Sequence, residues 1–365
     1  MINIICIVGA RPNFIKIAPI LKTMAKSKHL EAKLLHTGQH YDYNMSQSFF
    51  DELGIKEPDI YLGVGSASQA YQVAEIMKKF DDYCENEKPD AILVVGDVNS
   101  TMATSIVASK RRIKIYHVEA GIRSWDRTMP EEINRLLTDS IADVFLTPSV
   151  DAVENLLHEG HDKSSIYNVG NIMIDTLLSN QKKIDKSKIL NNLSVKPKEY
   201  ALITLHRPSN VDNKESLNSI LNALNIIQKD YKLVFPIHPR TLKKIKEFSL
   251  EDKINGMENV IITSPLGYYD FSRLTRDSKF VLTDSGGIQE ETTVYGIPCI
   301  TLRDNTERPI TVELGTNELA GNKMNDILLL YNKIKSGTWK KGRIPKYWDG
   351  KTSLRIVRVI EKTML

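Results

Sequence analysis

The stretch Thr283-Asp284-Ser285-Gly286-Gly287-Ile288-Gln289-Glu290-Glu291, entered from the apolar run Phe280-Val281-Leu282, reads as a strand, a glycine turn and the start of a helix. Residues 280–283 are apolar or β-branched, as in a buried strand, and 288–295 continue with helix-compatible spacing. Gly286 and Gly287 keep side chains out of the turn. The unpaired N–H groups at the helix start then face whatever approaches, and the helix dipole adds roughly 0.3–1 kcal/mol of preference for negative charge. A diphosphate fits that description. Ser285 in isolation would read as the cap of an ordinary βα turn. The run Arg303-Asp304-Asn305-Thr306-Glu307-Arg308-Pro309 that follows tips the reading towards an anion site.

Outward from this turn, strand-like runs recur at 3–8, 32–37, 91–95, 114–118, 144–147 and 166–169, and again at 200–205, 232–236, 260–263, 280–283 and 298–302. Each is followed by a turn and a helix-compatible segment. Such alternation predicts an α/β fold of parallel, doubly wound sheets with helices on both faces. With 365 residues the chain exceeds what one hydrophobic core usually supports, so two domains are expected. Residues 178–198 carry lysines, asparagines and a proline with few large apolar side chains and read as the natural boundary, and the locally basic 182–198 reads as a solvated connector. The expected division is 1–176 and 177–351, with a terminal helix over 352–365. Ligands of such folds bind beyond the carboxyl ends of the strands, which points to a site in the crevice between the domains.

Lysine plus arginine exceed aspartate plus glutamate by only 49 to 45, too small an excess for a nucleic-acid-binding field. Cys6, Cys84 and Cys299 are far apart and form neither a disulfide framework nor a zinc motif. The apolar N-terminus is broken by Arg11, Pro12 and Lys16 before a signal-peptide core is complete, and no uncharged run reaches membrane-spanning length. A cytoplasmic chain with no membrane and no nucleic-acid partner is expected.

The first strand ends in Gly9-Ala10-Arg11-Pro12-Asn13, which is not the dinucleotide fingerprint, so no nicotinamide cofactor is signalled. Arg11 at the turn and Lys16 a helical turn later are candidates for a phosphate instead. Asp97 and Glu119 end two strands expected to be neighbours. Glu131 follows Pro130 at a helix start, where a carboxylate also suits the dipole as a plain cap. Clustered carboxylates resist simultaneous ionisation and so can serve as acid or base near neutrality. No histidine lies at metal-ligand spacing beside them, and no metal is expected. In the second half a strand delivers His206 and Arg207 to its end, and His238 stands in a similar setting.

Taken in order, Gly9-Ala10-Arg11-Pro12, Gly96-Asp97, His117-Val118-Glu119-Ala120-Gly121, Pro130-Glu131-Glu132, His206-Arg207, 283–291 and 303–309 resemble the non-hydrolysing UDP-N-acetylglucosamine 2-epimerases. The resemblance runs through nearly the whole chain. It implies two Rossmann-like domains in the arrangement of one large glycosyltransferase class, a homodimer, and a C-terminal helix that returns to the first domain. It also implies interconversion of UDP-N-acetylglucosamine and UDP-N-acetylmannosamine through 2-acetamidoglucal, without cofactor. By the same resemblance Asp97, Glu119 and Glu131 are the acids of proton transfer and active-site electrostatics, and His206 lies at the diphosphate. Arg11, Lys16, Ser285, Gly286, Gly287 and Arg308 bind the nucleotide, Glu291 its ribose and Phe271 its uracil.

Rival expectations are a relative acting on a diacetamido uronic-acid nucleotide, a hydrolysing 2-epimerase, a glycosyltransferase, and a nucleotide-sugar sensor without turnover. Residues 305–309 favour the simpler N-acetylglucosamine substrate. The three first-domain acids argue against the transferase and the sensor.

Overall fold

The computed structural model describes residues 1–38 and 57–365, which fall into two compact units. One comprises Met1–Leu178 with Lys346–Leu365, the other Ser179–Pro345.

In the first unit the strands β1 (Ile2–Val8), β2 (Leu30–His36), β3 (Ile60–Tyr61), β4 (Ala91–Val95), β5 (Lys114–Val118), β6 (Val144–Thr147) and β7 (Ile166–Asn168) form a parallel sheet. Their order is β3-β2-β1-β4-β5-β6-β7. Alternate residues of a strand face opposite sides, so a sheet covered twice needs apolar residues at every position. Accordingly Ala91, Leu93 and Val95 enter one core while Ile92 and Val94 enter the other. The terminal helix Thr352–Met364 adds Ile356, Val357 and Ile360 to the first of these cores. Its opening amides, Thr352 and Ser353, donate to the buried Asp175 carboxylate at 2.9 and 2.7 Å.

The second unit repeats the plan with β8 (Tyr200–Thr204), β9 (Lys232–Pro236), β10 (Val260–Thr263), β11 (Phe280–Thr283), β12 (Cys299–Thr301) and β13 (Asn317–Leu319). Their order is β10-β9-β8-β11-β12-β13, again parallel throughout. Ala201 and Ile203 serve one core, Tyr200 and Leu202 the other. No helix among the described residues is long and apolar enough to cross a membrane.

Two local expectations are corrected. Residues 182–198 are not a solvated connector: the short helices Gln181–Asp185 and Ile189–Asn192 run through them, and Ile184, Ile189 and Leu190, with Val195, are buried. Their apolar residues are few, but the last three pack beside Tyr200 and Val234. The helix after β11 begins at Gly286, so both glycines lie in its first turn and not ahead of it.

In each sheet the chain order reverses once, beside β1 and β4 in the first and beside β8 and β11 in the second. Loops leaving such a pair diverge to opposite faces and open a crevice at the carboxyl ends. The segments placed there begin at Gly9, Gly96, Leu205 and Asp284.

Candidate active site

At the first switch point Asn13 joins the two strand tips. Its amide oxygen accepts from the backbone of Ala10 at 3.0 Å, and its amide nitrogen donates to the Val95 carbonyl at 2.9 Å. Lys16, one turn further along the helix Arg11–Met24, is buried and donates to Glu119 Oε2 at 2.6 Å. The ammonium expected to face a phosphate is thus engaged by a carboxylate of its own unit. Arg11 opens the same helix, and its side chain lies outside the described residues. Between the strand tips Gly96 has φ +71°, and a Cβ there would stand 3.2 Å from Lys16 Nζ and 3.6 Å from Glu119 Oε2. The left-handed backbone favours glycine, and a Cβ would press on the Lys16 ammonium.

Glu119 is 4% exposed and also left-handed, at φ +68°. Its Oε1 is buried and has no hydrogen bond among the described residues. Asp97 sits on the far side of Gly96, where Arg135 binds its Oδ2 and Asn134 its backbone carbonyl at 2.9 Å. Both partners belong to the helix Pro130–Ile141. Glu131 is exposed at that helix's first turn and makes no hydrogen bond or ion pair among the described residues. Its neighbour Glu132 is buried instead, accepting from the Ser124 amide and hydroxyl at 2.9 Å each and from Arg135 at 2.8 Å.

At the second switch point Asp284 is fully buried and organises the tip of β8. Its Oδ2 accepts from the amides of His206 and Arg207, both at 2.8 Å, and its Oδ1 lies 2.8 Å from His206 Nδ1. Burial would raise this carboxyl, but the His206 ring and the two amides outweigh it and hold it below the usual carboxylate range. The dyad orients the His206 ring, which is 40% exposed and 5.7 Å from the ring of His238. His238 serves the fold, since its Nδ1 caps the helix Pro239–Glu247 by accepting from the Arg240 amide at 3.2 Å. Burial, then the neighbouring His206, lowers the His238 imidazole.

Ser285 precedes the helix Gly286–Tyr295 without its hydroxyl making a cap bond. A Cβ on Gly287 would meet nothing within 4 Å among the described residues, so no packing among them explains that glycine. Glu307 Oε2 lies 3.5 Å from where a Cβ of Gly286 would be, and Arg303 binds Glu307 at 3.1 and 3.2 Å. Burial opposes ionisation of Glu307, yet the guanidinium groups of Arg308, Arg303 and Arg207 hold it far below the ordinary range. Arg308 itself is paired with Glu290 at 2.5 Å. Glu291 is buried on the same helix with Oε2 lacking a hydrogen bond among the described residues. Burial, reinforced by the charge of Glu290, pushes its carboxyl up to about 8. Phe271, on the helix Tyr268–Asp277, is half-buried in the cluster that contains Ile288.

Sequence reasoning missed Asn13, Glu132, Arg135 and Asp139. A signal existed in the last three: their spacing puts three charged side chains on the buried face of one helix. A cavity of about 390 Å³ in the second unit, lined in part by Lys196, Lys229, Asp230 and Lys232, opens at the opposite, amino ends of the strands and contains none of these residues.

A family model described as UDP-N-acetylglucosamine 2-epimerase matches residues 22–361. A Methanococcus maripaludis protein named UDP-N-acetylglucosamine 2-epimerase homolog is 45% identical over 360 residues, covering 98% of this chain and 99% of its own. The crystal structure of Methanocaldococcus jannaschii UDP-GlcNAc 2-epimerase in complex with UDP-GlcNAc and UDP matches with a TM-score of 0.90 at 40% identity, covering 99% of this chain and 100% of that one. The UDP-2,3-diacetamido-2,3-dideoxy-D-glucuronate 2-epimerase of Pseudomonas aeruginosa is 36% identical over 364 residues, 99% of each chain. With a match that runs from end to end of the sequence, the chain belongs to the UDP-N-acetylglucosamine 2-epimerase family.

Proposed function

We propose that this protein interconverts UDP-N-acetylglucosamine and UDP-N-acetylmannosamine without hydrolysis, the first unit's strand-tip acids acting on the sugar and the second unit's glycine turn on the diphosphate. A carboxylate takes the C2 proton, the electron pair left behind forms the C1–C2 double bond, and the C1–O bond breaks with its electrons passing to UDP. Return of UDP to C1, with protonation of C2 from the opposite face, gives the epimer. UDP is therefore both leaving group and nucleophile. Amides fixed at the start of the helix Gly286–Tyr295 lower the barrier to its departure because they need no reorganisation.

The observation that carries this reading is Glu119: buried, strained at φ +68°, tied by one oxygen to Lys16, with the other oxygen lacking a partner among the described residues. Buried polar atoms are nearly always bonded, and the substrate supplies the missing contact. Asp97, Glu131 and His206 complete the catalytic set. Ser285, Gly286 and Gly287 hold the diphosphate, with Arg11, Lys16 and Arg308 contributing charge. The partnerless oxygen of Glu291 meets the ribose, and Phe271 the uracil. Neither metal nor nicotinamide takes part, and a cytoplasmic homodimer is the expected form.

The likeness to the Pseudomonas aeruginosa enzyme favours a second reading, a diacetamido uronic-acid nucleotide as substrate. Turnover on both UDP-sugars, followed by phosphorus spectra of the equilibrated mixture, decides between them. Equilibration of the N-acetylglucosamine nucleotide with its epimer and no accumulating UDP is the expected result. Turnover confined to the uronic acid transfers the assignment to the second substrate, and accumulating UDP with free sugar refutes the non-hydrolysing reaction.

A further inference from the structure

Behind Glu119 lies a buried charged cluster that touches no expected substrate atom. Asp139, on the helix Pro130–Ile141, is 1% exposed. Its Oδ1 lies 2.6 Å from His117 Nδ1, and its Oδ2 accepts from the Gly121 amide at 3.0 Å and from Arg123 at 2.8 Å. His117 stands two residues before Glu119 and Gly121 two residues after it. One carboxylate therefore grips the chain on both sides of a residue whose backbone is left-handed. The grip extends further, because His117 Nε2 lies 2.9 Å from the carbonyl of Gly96, the residue that leads into Asp97.

We propose that Asp139 is a positioning residue of the epimerase reaction, setting Glu119 and Asp97 in register through His117, Gly121 and Gly96. The proposal rests on the reading of Glu119 and Asp97 as acids of proton transfer. The Gly96 carbonyl can only accept a hydrogen bond, and Asp139 is ionised: burial would raise its carboxyl, but His117, Arg123 and the Gly121 amide outweigh burial and hold it low. The ring is held through both nitrogens, Nδ1 on Asp139 and Nε2 on the Gly96 carbonyl. Its orientation is fixed at both ends. Arg123 in turn is held by Glu159 at 2.7 and 2.6 Å. Buried ion clusters of this kind contribute little net stability compared with well-packed apolar side chains of the same volume. What this one supplies is geometry. Glu119 is kept in a conformation that costs about 1–3 kcal/mol, with its carboxylate on Lys16 and its free oxygen held still.

The test compares Asp139→Glu, Asp139→Asn and His117→Gln with the unaltered protein. It measures thermal stability, UDP affinity by calorimetry, kcat and KM on UDP-N-acetylglucosamine, and deuterium uptake at C2. Asp139→Glu keeps the charge beside Arg123 while shifting the grip by one methylene. Displacing a catalytic group by about an ångström can cost 10²-fold, so kcat and C2 exchange are expected to fall by about 10- to 100-fold in every folded variant. UDP affinity and KM are expected to stay within about twofold, the pattern of a lost transition-state interaction. A merely structural cluster would lower melting temperature and leave kcat per folded molecule unchanged, and that result overturns the proposal. Failure of all three variants to fold overturns it as well, since the cluster would then be a folding element. If the unaltered protein takes up no label at C2, the epimerase reading fails; if it does and the variants match its rate, only the role of Asp139 fails.

Discussion

Glu119 pays for its place with a left-handed backbone, and the residues around it show what that place requires. Lys16 neutralises one oxygen, Gly96 leaves room for the pair, and the second oxygen remains for a proton. Glu119→Gln and Asp97→Asn are each expected to keep UDP binding while epimerisation falls by about 10²–10⁴-fold, as when a general acid or base is removed. Calorimetry with UDP and turnover assays check this, and unchanged turnover would reduce the altered residue to scaffold. Glu291 makes a separate prediction through pH. Its folded carboxyl titrates near 8 against an ordinary value of 4.5, so folding takes up a proton between those pH values. The stability it contributes is whole below 4.5 and is lost as pH rises through about 8. Glu291→Gln should flatten that decline, and melting curves for variant and parent that stay parallel from pH 4.5 to about 8 would contradict it.

At the scale of elements, the helix Gly286–Tyr295 carries a glycine that packing among the described residues does not call for. A Cβ at Gly287 meets no atom within 4 Å among the described residues. Gly287→Ala is therefore expected to stabilise the free protein by about 0.4–1 kcal/mol, by restricting the unfolded chain, while weakening UDP binding. Melting temperature and UDP affinity moving in opposite directions is the signature, and undiminished UDP affinity would remove the diphosphate from this turn. The turn was legible in the sequence because glycine chemistry is local. Strands such as β4 were legible for a related reason: a sheet buried on both faces leaves a continuous apolar run. By contrast β3 and β13, at two and three residues, are too short to show a period. The helix Pro130–Ile141 was legible as a helix start, but its buried charges were not legible as a network. Arg135 reaches Asp97 and Asp139 reaches His117 across the fold, and pairings of that kind are fixed by tertiary packing, not by spacing along the chain.

For the molecule as a whole, the chain builds two parallel sheets on one plan and places reactive side chains at the reversal point of each. The motif order along the sequence carried that much. It did not show that 182–198 packs into the second unit, because a few spaced apolar residues among lysines look like a linker until the surface they cover is known. Nor did it show that Asp175 caps the terminal helix, a bond between residues far apart in sequence. The epimerase reading requires that the hydrogen on C2 be exchanged and that UDP return to the sugar it left. The most direct check is to equilibrate the protein with UDP-N-acetylglucosamine in heavy water, with no metal or nicotinamide added, and to locate the label by proton spectra and mass. Deuterium at C2 of both epimers, with the nucleotide-sugar bond intact at equilibrium, is the expected result. Epimers that keep their original C2 hydrogen, or label accompanied by released UDP and free sugar, would contradict it.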